Sequence, residues 1–243
     1  MSHVVIVTGG GRGIGAATSK LLASRGYLVC VNYRSNAQSA EAIVSDIVAL
    51  GGQAFSFQAD VSDENEVIAL FDAVEKTLGN VTHLVNNAGI LFTQSSFVDI
   101  DVERFNQVMC SNVTSCFLCS REFIKRNHAT GSIVNVSSAA SRSGAPFEYV
   151  DYAASKGAMD SLTKGLSLEV AAQGIRVNAV RPGFIYTDMH TDGGEPNRVH
   201  RLAPQIPLQR GGRADEVANA IAWLLSDEAS YVTGSFIDLA GGK

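Results

Sequence analysis

The sequence contains few residues that cross-link or kink a chain. Among its 243 residues, 4 are cysteine and 5 are proline. Four cysteines are too few for a disulfide scaffold at this length, so we expect reduced thiols and a cytoplasmic protein. The first apolar stretch, Val4 to Val7, is far shorter than a signal-peptide core or a membrane span. We therefore expect no membrane association.

The sequence also lacks a large excess of either charge: it has 19 basic and 24 acidic residues and a formal net charge of −5. A nucleic-acid partner favours a strongly basic domain, so none is expected. Hydrophobic residues make up 46% of the chain and charged residues 18%, which excludes a disordered protein. Cys116 and Cys119 form a C-x-x-C inside a helical pattern, and no second ligand pair accompanies them. We expect buried thiols there and no metal.

Short apolar runs alternate with longer helical patterns along the whole chain. The predicted strands are Val4–Thr8, Leu28–Asn32, Ala54–Gln58, His83–Asn86, Ser132–Val136, Arg176–Val180 and Ser235–Leu239. The predicted helices are Gly13–Ser24, Ala37–Leu50, Glu64–Leu78, Val102–Asn127, Tyr152–Gln173 and Ala214–Leu225. This alternation predicts one α/β domain over residues 1–243. Its fold would be a Rossmann-like, doubly wound parallel sheet of about seven strands with helices on both faces. Residues 182–207 form a long connection, which we interpret as a substrate loop.

A glycine-rich segment, Thr-Gly-Gly-Gly-Arg-Gly-Ile-Gly at residues 8–15, lies between the first strand and the first helix. Glycine lets the backbone turn sharply and approach a pyrophosphate closely. The free N–H groups and the dipole of the following helix favour its negative charge. The segment therefore predicts a dinucleotide site. The alternative is a glycine turn that only packs the helix on the sheet.

The spacing of Gly9, Gly13 and Gly15 after Thr8 resembles that of the short-chain dehydrogenase/reductase family. The resemblance continues in Asn86-Asn87-Ala88-Gly89 after the fourth strand, Asn112 in a helix and Ser138 after the fifth strand. It extends to Tyr152-x-x-x-Lys156 and to Pro182-Gly183 after the sixth strand. The whole chain is similar to bacterial glucose/ribitol-type and 3-oxoacyl-reductase-like members. The resemblance implies a single cofactor-binding and catalytic domain.

Tyr152 and Lys156 are four residues apart on a predicted helix, so they share a face. A nearby ammonium stabilises a phenolate, and we expect it to lower the pKa of Tyr152 from its usual value of roughly 10. The resemblance implies that Ser138 orients the substrate oxygen, Tyr152 transfers the proton and Lys156 holds the cofactor ribose. It implies that Asn112 supports a water relay. Whether Ser137 or Ser138 is used stays open at this point.

The second strand is followed by no acid that could hold a ribose 2′-hydroxyl, since none occurs between Gly15 and Glu41. Arg12 and Arg34 would suit a 2′-phosphate instead, unless both are solvated surface residues. NADP is the expected cofactor, with NAD possible. The resemblance implies that the cofactor contacts Thr8, Gly9, Arg12, Gly13, Ile14, Gly15, Arg34, Asp60, Val61, Asn87, Ala88, Gly89, Tyr152, Lys156, Pro182, Gly183, Ile185 and Thr187.

These patterns predict an NAD(P)-dependent oxidoreductase that acts on a small carbonyl or secondary alcohol, such as a sugar, polyol or ketone. Two alternatives stay open: a 3-oxoacyl-thioester reductase and a non-catalytic NADP-sensing protein. By position alone, Leu91, Phe92, Phe147, Tyr149, Met189 and His190 could line the substrate pocket. The resemblance further implies a homotetramer.

Overall fold

Seven parallel strands form the central sheet of the computed structural model, which describes residues 3–126 and 130–243. The strands are β1 (Val4–Val7), β2 (Leu28–Tyr33), β3 (Gln53–Gln58), β4 (His83–Asn86), β5 (Gly131–Val136), β6 (Ile175–Pro182) and β7 (Phe236–Leu239). Their order in the sheet is β3-β2-β1-β4-β5-β6-β7. The predicted α/β class, parallel sheet and strand number are confirmed.

Helices cover both faces of this sheet. They are α1 (Gly13–Ser24), α2 (Ala37–Ala49), α3 (Glu64–Leu78), α4 (Val102–Met109), α5 (Ser115–Arg126), α6 (Ala140–Ser143), α7 (Val150–Val170), α8 (Met189–Asp192), α9 (Arg198–Leu202) and α10 (Ala214–Leu225). One core lies between the sheet and α1, α2 and α10, and it includes Leu22, Ile47 and Ile221. The other lies under α3, α5 and α7, around Phe71 and Phe123. Because apolar side chains leave both faces of the strands, the sheet is buried on both sides.

The predicted helix Val102–Asn127 is interrupted in the structure. A turn of π-helix over Cys110–Thr114 separates α4 from α5. π-helical turns are rare and occur mostly as single insertions at functional sites. The predicted end of this helix at Asn127 lies outside the described residues.

The connection after β6 is more ordered than the predicted loop over residues 182–207. It contains α8, α9 and a short 3₁₀ turn, Ala203–Gln205. Within residues 3–126 and 130–243, no helix combines the length and the apolar character needed to cross a membrane.

The chain reverses its direction of winding between β1 and β4. From β1 it builds outwards through β2 and β3, and it then returns to place β4 on the other side of β1. Open α/β sheets bind ligands at such a switch point, outside the carboxyl ends of the strands. Residues that follow β1, β2 and β4 therefore meet at one place.

Candidate active site

A cleft of about 470 Å³ opens at this switch point. It brings together eleven of the predicted cofactor residues: Gly9, Arg12, Gly13, Ile14, Arg34, Asp60, Val61, Asn87, Ala88, Gly89 and Thr187. Residues from β2, from the connection before α2 and from the segment after β6 complete its wall. Segments far apart in the sequence thus form one elongated groove.

The glycine turn forms the part of the cleft surface next to the start of α1. Gly9 and Gly13 have φ angles of +61° and +52°, a region that other residues rarely adopt. A Cβ on Gly15 would lie 2.3 Å from the carbonyl oxygen of Gly9, so only glycine fits there. Arg12 starts α1 without a side-chain cap, and the first turn carries no acid. The amides of that turn are thus free to bind an anion in the cleft.

Neutral hydrogen bonds fix the glycine turn to the end of β4. The Thr8 hydroxyl oxygen accepts from the amides of Asn87 and Ala88, both at 3.0 Å. The Asn87 side-chain amide donates to the carbonyl oxygens of Thr8 at 2.9 Å and of Gly9 at 3.1 Å. The Thr8 side chain thus holds the cleft in shape from below, and it is not among the residues that line it.

Asn32 was not predicted from the sequence as a site residue. Its side-chain amide donates to the carbonyl oxygens of Phe57 and Ala59, and its Oδ1 accepts from the amide of Gly9 at 3.3 Å. It therefore ties the ends of β2 and β3 to the glycine turn. The one available signal was a buried amide in a strand that is otherwise largely apolar.

Two arginines lie along the outer part of the cleft, and each faces a carboxylate. Arg34 approaches Asp60 with 3.8 Å between Nη1 and Oδ2, and Arg12 contacts Asp192 of α8 with 2.6 Å between Nη1 and Oδ2. All four side chains are partly exposed. The guanidinium groups are placed to meet an anion, but they share their charge with these acids.

Seven predicted cofactor residues are not among those that line the cleft: Thr8, Gly15, Tyr152, Lys156, Pro182, Gly183 and Ile185. The last three lie on the segment at the end of β6. Gly183 packs against Ala240, where an added Cβ would lie 2.9 Å from the Ala240 Cα. Pro182 ends β6 and pairs with Leu239. Ile185 is buried and forms a bridge with Gly212. Pro182, Gly183 and Ile185 thus shape the segment that carries Thr187 into the cleft.

Ser138, Tyr152 and Lys156 come together at the inner end of the site. The Ser138 side chain lies near enough to the Tyr152 hydroxyl to lower its pKa, and the Lys156 Nζ lies 5.5 Å from the centre of the Tyr152 ring. The Ser138 hydroxyl oxygen accepts from the amide of Ala140 at 3.1 Å. Ser137 points elsewhere, because its hydroxyl donates to the carbonyl oxygen of Lys156 at 3.3 Å. The geometry therefore favours Ser138 over Ser137 as the partner of Tyr152.

The pKa of Tyr152 is not lowered in this structure, contrary to the expectation from the sequence. Burial raises it to about 12, although the nearby Ser138 side chain acts to lower it. Burial also lowers the pKa of Lys156 to about 8, and its Nζ donates to the carbonyl oxygen of Val136 at 2.8 Å. The phenol is thus protonated at neutral pH, and the ammonium keeps its charge up to about pH 8.

Asn112 is fully buried in the π-helical turn. Its Oδ1 accepts from the Ile90 amide at 2.7 Å, and its Nδ2 donates to the Ile90 carbonyl oxygen and to the Ser155 hydroxyl, each at 3.0 Å. Both polar ends of the side chain are engaged, so Asn112 anchors the segment after β4. We call the group of Thr8, Asn32, Asn87, Asn112 and Ser155 the polar floor; Asn87 is half-buried and the other four are buried.

The apolar wall near Tyr152 contains Leu91, Phe92 and Tyr149. Phe147 does not join it, because its side chain is 86% exposed. Ala145 and Phe147 have φ angles of +42° and +63°, which are strained for residues other than glycine. Both residues belong to the tightly turned segment that connects Ser138 to Tyr152.

Residues 189–202, which we call the lid, contact the site largely through charged side chains. Glu195 accepts hydrogen bonds from Gln94 at 2.6 Å, Arg198 at 3.0 Å and Arg201 at 2.6 Å. The hydrogen bond from Arg201, supported by those from Arg198 and Gln94, lowers the pKa of Glu195 to about 2. Arg198 is buried and also pairs with Glu148, just before α7.

His190 lies on the lid and is half-buried. Burial, together with the nearby Arg198, lowers its pKa, which keeps the imidazole neutral at neutral pH. The spacing of Glu195 and Arg198, three residues apart, was the sequence signal that could have indicated this network.

The C-x-x-C motif lies behind the site, with Cys116 near enough to Lys156 for each group to affect the pKa of the other. Cys116 and Cys119 are buried in α5, and burial raises the pKa of both thiols. A raised pKa disfavours the reactive thiolate.

The doubly wound sheet places the glycine turn at its switch point, and Ser138, Tyr152 and Lys156 lie together beside the cleft, near Gly89. This combination is typical of dinucleotide-binding oxidoreductases with a Rossmann-type fold. Comparison with known proteins agrees. Residues 9–243 match a family described as enoyl-(acyl carrier protein) reductase. The chain is 62% identical, over 99% of both sequences, to the uncharacterized oxidoreductase YgfF of Escherichia coli (strain K12).

Two further relatives also match this chain over its whole length. The 3-oxoacyl-[acyl-carrier-protein] reductase FabG of Staphylococcus aureus (strain Mu50 / ATCC 700699) is 38% identical over 100% of this chain and 98% of its own. The crystal structure of a dehydrogenase/reductase from Sinorhizobium meliloti 1021 is 32% identical, with a TM-score of 0.93 over 100% of this chain and 95% of that one. The chain belongs to the short-chain dehydrogenase/reductase family, and this membership implies a nicotinamide cofactor.

Proposed function

We propose that the protein is an NADP-preferring oxidoreductase that interconverts a carbonyl and a secondary alcohol in a sugar, polyol or small ketone. One domain carries both the cofactor cleft and the chemistry. The observation that supports this most directly is the placement of Tyr152 between Ser138 and Lys156 at the end of the cleft. A phenol beside a hydroxyl and an ammonium is a combination suited to proton transfer to a substrate oxygen, which supports the proposal.

The cleft fits a dinucleotide, because its glycine turn has left-handed φ angles and free amides at the start of α1. Those amides would hold the pyrophosphate, Lys156 the ribose, and Thr187 the nicotinamide amide. When bound, the cofactor supplies or accepts the hydride. The remaining residues act on the substrate: Ser138 orients its oxygen, and Tyr152 gives that oxygen a proton in the reductive direction. The raised pKa of Tyr152 suits a proton donor, because the phenol stays protonated at neutral pH.

The test is a panel of sugars, polyols, small ketones and 3-oxoacyl thioesters, assayed with NADPH and with NADH. We expect turnover of at least one small carbonyl with NADPH. Tyr152→Phe should lower kcat by about 100- to 10,000-fold while leaving NADPH affinity intact, since only the proton donor is removed. Tight nucleotide binding without turnover of any compound would favour an NADP-sensing role.

Cofactor preference can be tested separately at Arg34. Its replacement, Arg34→Asp, removes a charge-assisted contact and adds a carboxylate next to the 2′-phosphate position. We expect NADPH affinity to fall by about 10- to 100-fold, with NADH affinity unchanged or raised. Equal loss of both cofactors, or a wild-type preference for NADH, would contradict the assignment of NADP.

A second candidate, a 3-oxoacyl-thioester reductase, is favoured by the full-length match to the reductases of that name. An acidic carrier protein would need a basic docking surface, for which Arg121, Lys125 and Arg126 are candidates. Arg121 is paired with Glu64, and Arg126 contacts Asp72, Glu75 and Glu122. These ion pairs reduce the positive charge that the candidate docking surface could present to an acidic partner. Turnover of thioesters above that of small ketones would favour this candidate.

We also propose a homotetramer in the cytoplasm, formed through α4, α5, α7 and the chain end at 236–243. Large apolar side chains are exposed on these helices, including Val102, Phe117 and Leu168. Burial of such side chains between subunits would remove them from water. Light scattering at micromolar concentration should give four times the mass of the chain, and a monomeric mass would contradict the proposal.

A further inference from the structure

Asp151 precedes Tyr152 in the first turn of α7, and its side chain is 1% exposed. The carboxylate faces Arg104 of α4. Arg104 Nε donates to Asp151 Oδ2 at 2.7 Å, and Nη2 donates to Oδ1 at 3.4 Å. Two bonds from one planar guanidinium fix the carboxylate in orientation as well as in position.

This carboxylate also supplies a bond that the start of α7 otherwise lacks. Tyr149 precedes the first turn and makes no side-chain cap, although the first amides of a helix have no partner within it. The amide of Tyr152, the third of the helix, donates to Asp151 Oδ1 at 2.9 Å. The peptide that carries the Tyr152 side chain is therefore held by a carboxylate that Arg104 holds in turn.

Arg104 connects this turn to the wall of the substrate pocket. Its Nη1 donates to the carbonyl oxygen of Thr93 at 2.9 Å, and its guanidinium lies 5.5 Å from the centre of the Phe92 ring. The same segment begins at Ile90, which Asn112 anchors. One side chain thus joins α4, the start of α7 and the segment after β4.

We propose that the Arg104–Asp151 pair positions Tyr152 relative to the pocket wall. Burying two charges is costly, and apolar replacements of such pairs are often neutral for stability. The pair instead provides directional bonds at the turn that carries Tyr152. An error in the position of a reacting group of about 1 Å can cost 100-fold in rate. The role of Tyr152 itself rests on the proposed function.

The experiment compares Asp151→Ala, Asp151→Asn and the double variant Arg104→Gln/Asp151→Asn in the full-length protein. Asp151→Ala removes the acceptor of the Tyr152 amide, and we expect kcat to fall about tenfold or more with the Kd for NADPH unchanged. Asp151→Asn keeps an acceptor oxygen and should restore most of kcat. The neutral double variant avoids an unpaired buried charge, so it remains measurable if Asp151→Ala does not fold.

Arg176→Gln is the matched control. Arg176 is a half-buried arginine whose guanidinium donates to the carbonyl oxygens of Leu224 at 2.6 Å and Leu225 at 3.1 Å, at the end of α10 and away from Tyr152. It should lower Tm without changing kcat. A kcat within twofold of wild type in folded Asp151→Ala would overturn the inference. A parallel loss of kcat and of NADPH affinity in that variant would also overturn it, because it would indicate general damage.

Hydrogen exchange separates this inference from the proposed function. If the wild-type protein reduces no carbonyl, the proposed function fails, but the physical link can still be measured. The double variant should lose amide protection at residues 90–93 and 150–153 together, with α10 unchanged. Unchanged protection at either segment would show that Arg104 does not join them.

Discussion

The polar floor and the lid enclose the same cleft but are held by different forces. In the floor, hydroxyl and amide groups bond to backbone, as Thr8 does to the amides of Asn87 and Ala88. In the lid, Glu195, Arg198 and Arg201 form ion pairs, and Asp192 pairs with Arg12. The floor residues are largely buried, whereas several lid charges are half-exposed.

This difference should affect how each region moves and how it responds to salt. Buried neutral hydrogen bonds are not screened by salt, and breaking one leaves a polar group without a partner. Ion pairs between exposed groups are screened and contribute little net stability. A rigid floor can keep the pyrophosphate position constant. The exposed pairs of the lid, Arg12–Asp192 and Arg201–Glu195, can break as the lid opens to admit cofactor and release product, whereas Arg198 is buried and holds the C-terminal part of the lid more firmly.

The largest effect is expected in the floor, for Thr8→Val. The replacement leaves two amides without their acceptor, at about 1–3 kcal/mol each. We expect Tm to fall by about 4–24 °C, at 2–4 °C per kcal/mol for a chain of this size. Differential scanning calorimetry in low and high salt should give the same decrease. Thr8→Ser keeps the oxygen and is the control, and an equally large loss in that variant would contradict the explanation.

Next in size is the pH dependence that burial gives to Lys156. Its pKa is lowered to about 8, so it loses its charge as the pH rises through that value. The pH dependence of kcat/KM for NADPH reports the free enzyme, and kcat/KM should fall by up to about tenfold per pH unit above 8. Tyr152, with its pKa raised to about 12, stays protonated throughout this range. A profile that is flat to pH 10 would show that the Lys156 charge is not needed.

The fold and most of the site could be predicted because their signals are local. Each strand is a short apolar run, and each motif follows a strand end, so topology brings Gly9, Asn87 and Thr187 together. The predicted bounds of α1, α3 and α10 match the structure, because the periodicity of apolar residues defines them.

Features that depend on long-range packing could not be predicted. Arg104 and Asp151 are 47 residues apart and have no shared pattern in the sequence. The raised pKa of Tyr152 comes from burial, which only the folded chain defines. Asn112, in the π-helical turn, bonds to Ile90 and Ser155, which lie on other segments. Charge and helix-period patterns carry no information about such pairs.

A smaller effect is expected in the lid, for Glu195→Gln. Glutamine keeps one acceptor oxygen but loses the charge that Arg198 and Arg201 share. We expect a cost on the order of 1 kcal/mol in holding the lid closed, or about fivefold in substrate KM, with kcat little changed. In 0.5 M salt the difference from wild type should shrink, because screening already weakens these pairs. A difference that persists in high salt would indicate a packing role for Glu195.

The smallest effect concerns the contact between lid and glycine turn, and the change is Asp192→Asn. Asp192 Oδ2 lies 2.6 Å from Arg12 Nη1, so the carboxylate competes with any anion that Arg12 could bind. The neutral side chain frees Arg12, and since exposed pairs contribute at most about 1 kcal/mol, NADPH affinity should rise by no more than about fivefold. NADH affinity should not change, because NADH has no 2′-phosphate for Arg12 to meet. Titration calorimetry with both cofactors measures the difference, and an equal gain for NADH would mean that the lid, rather than competition for Arg12, controls access to the cleft.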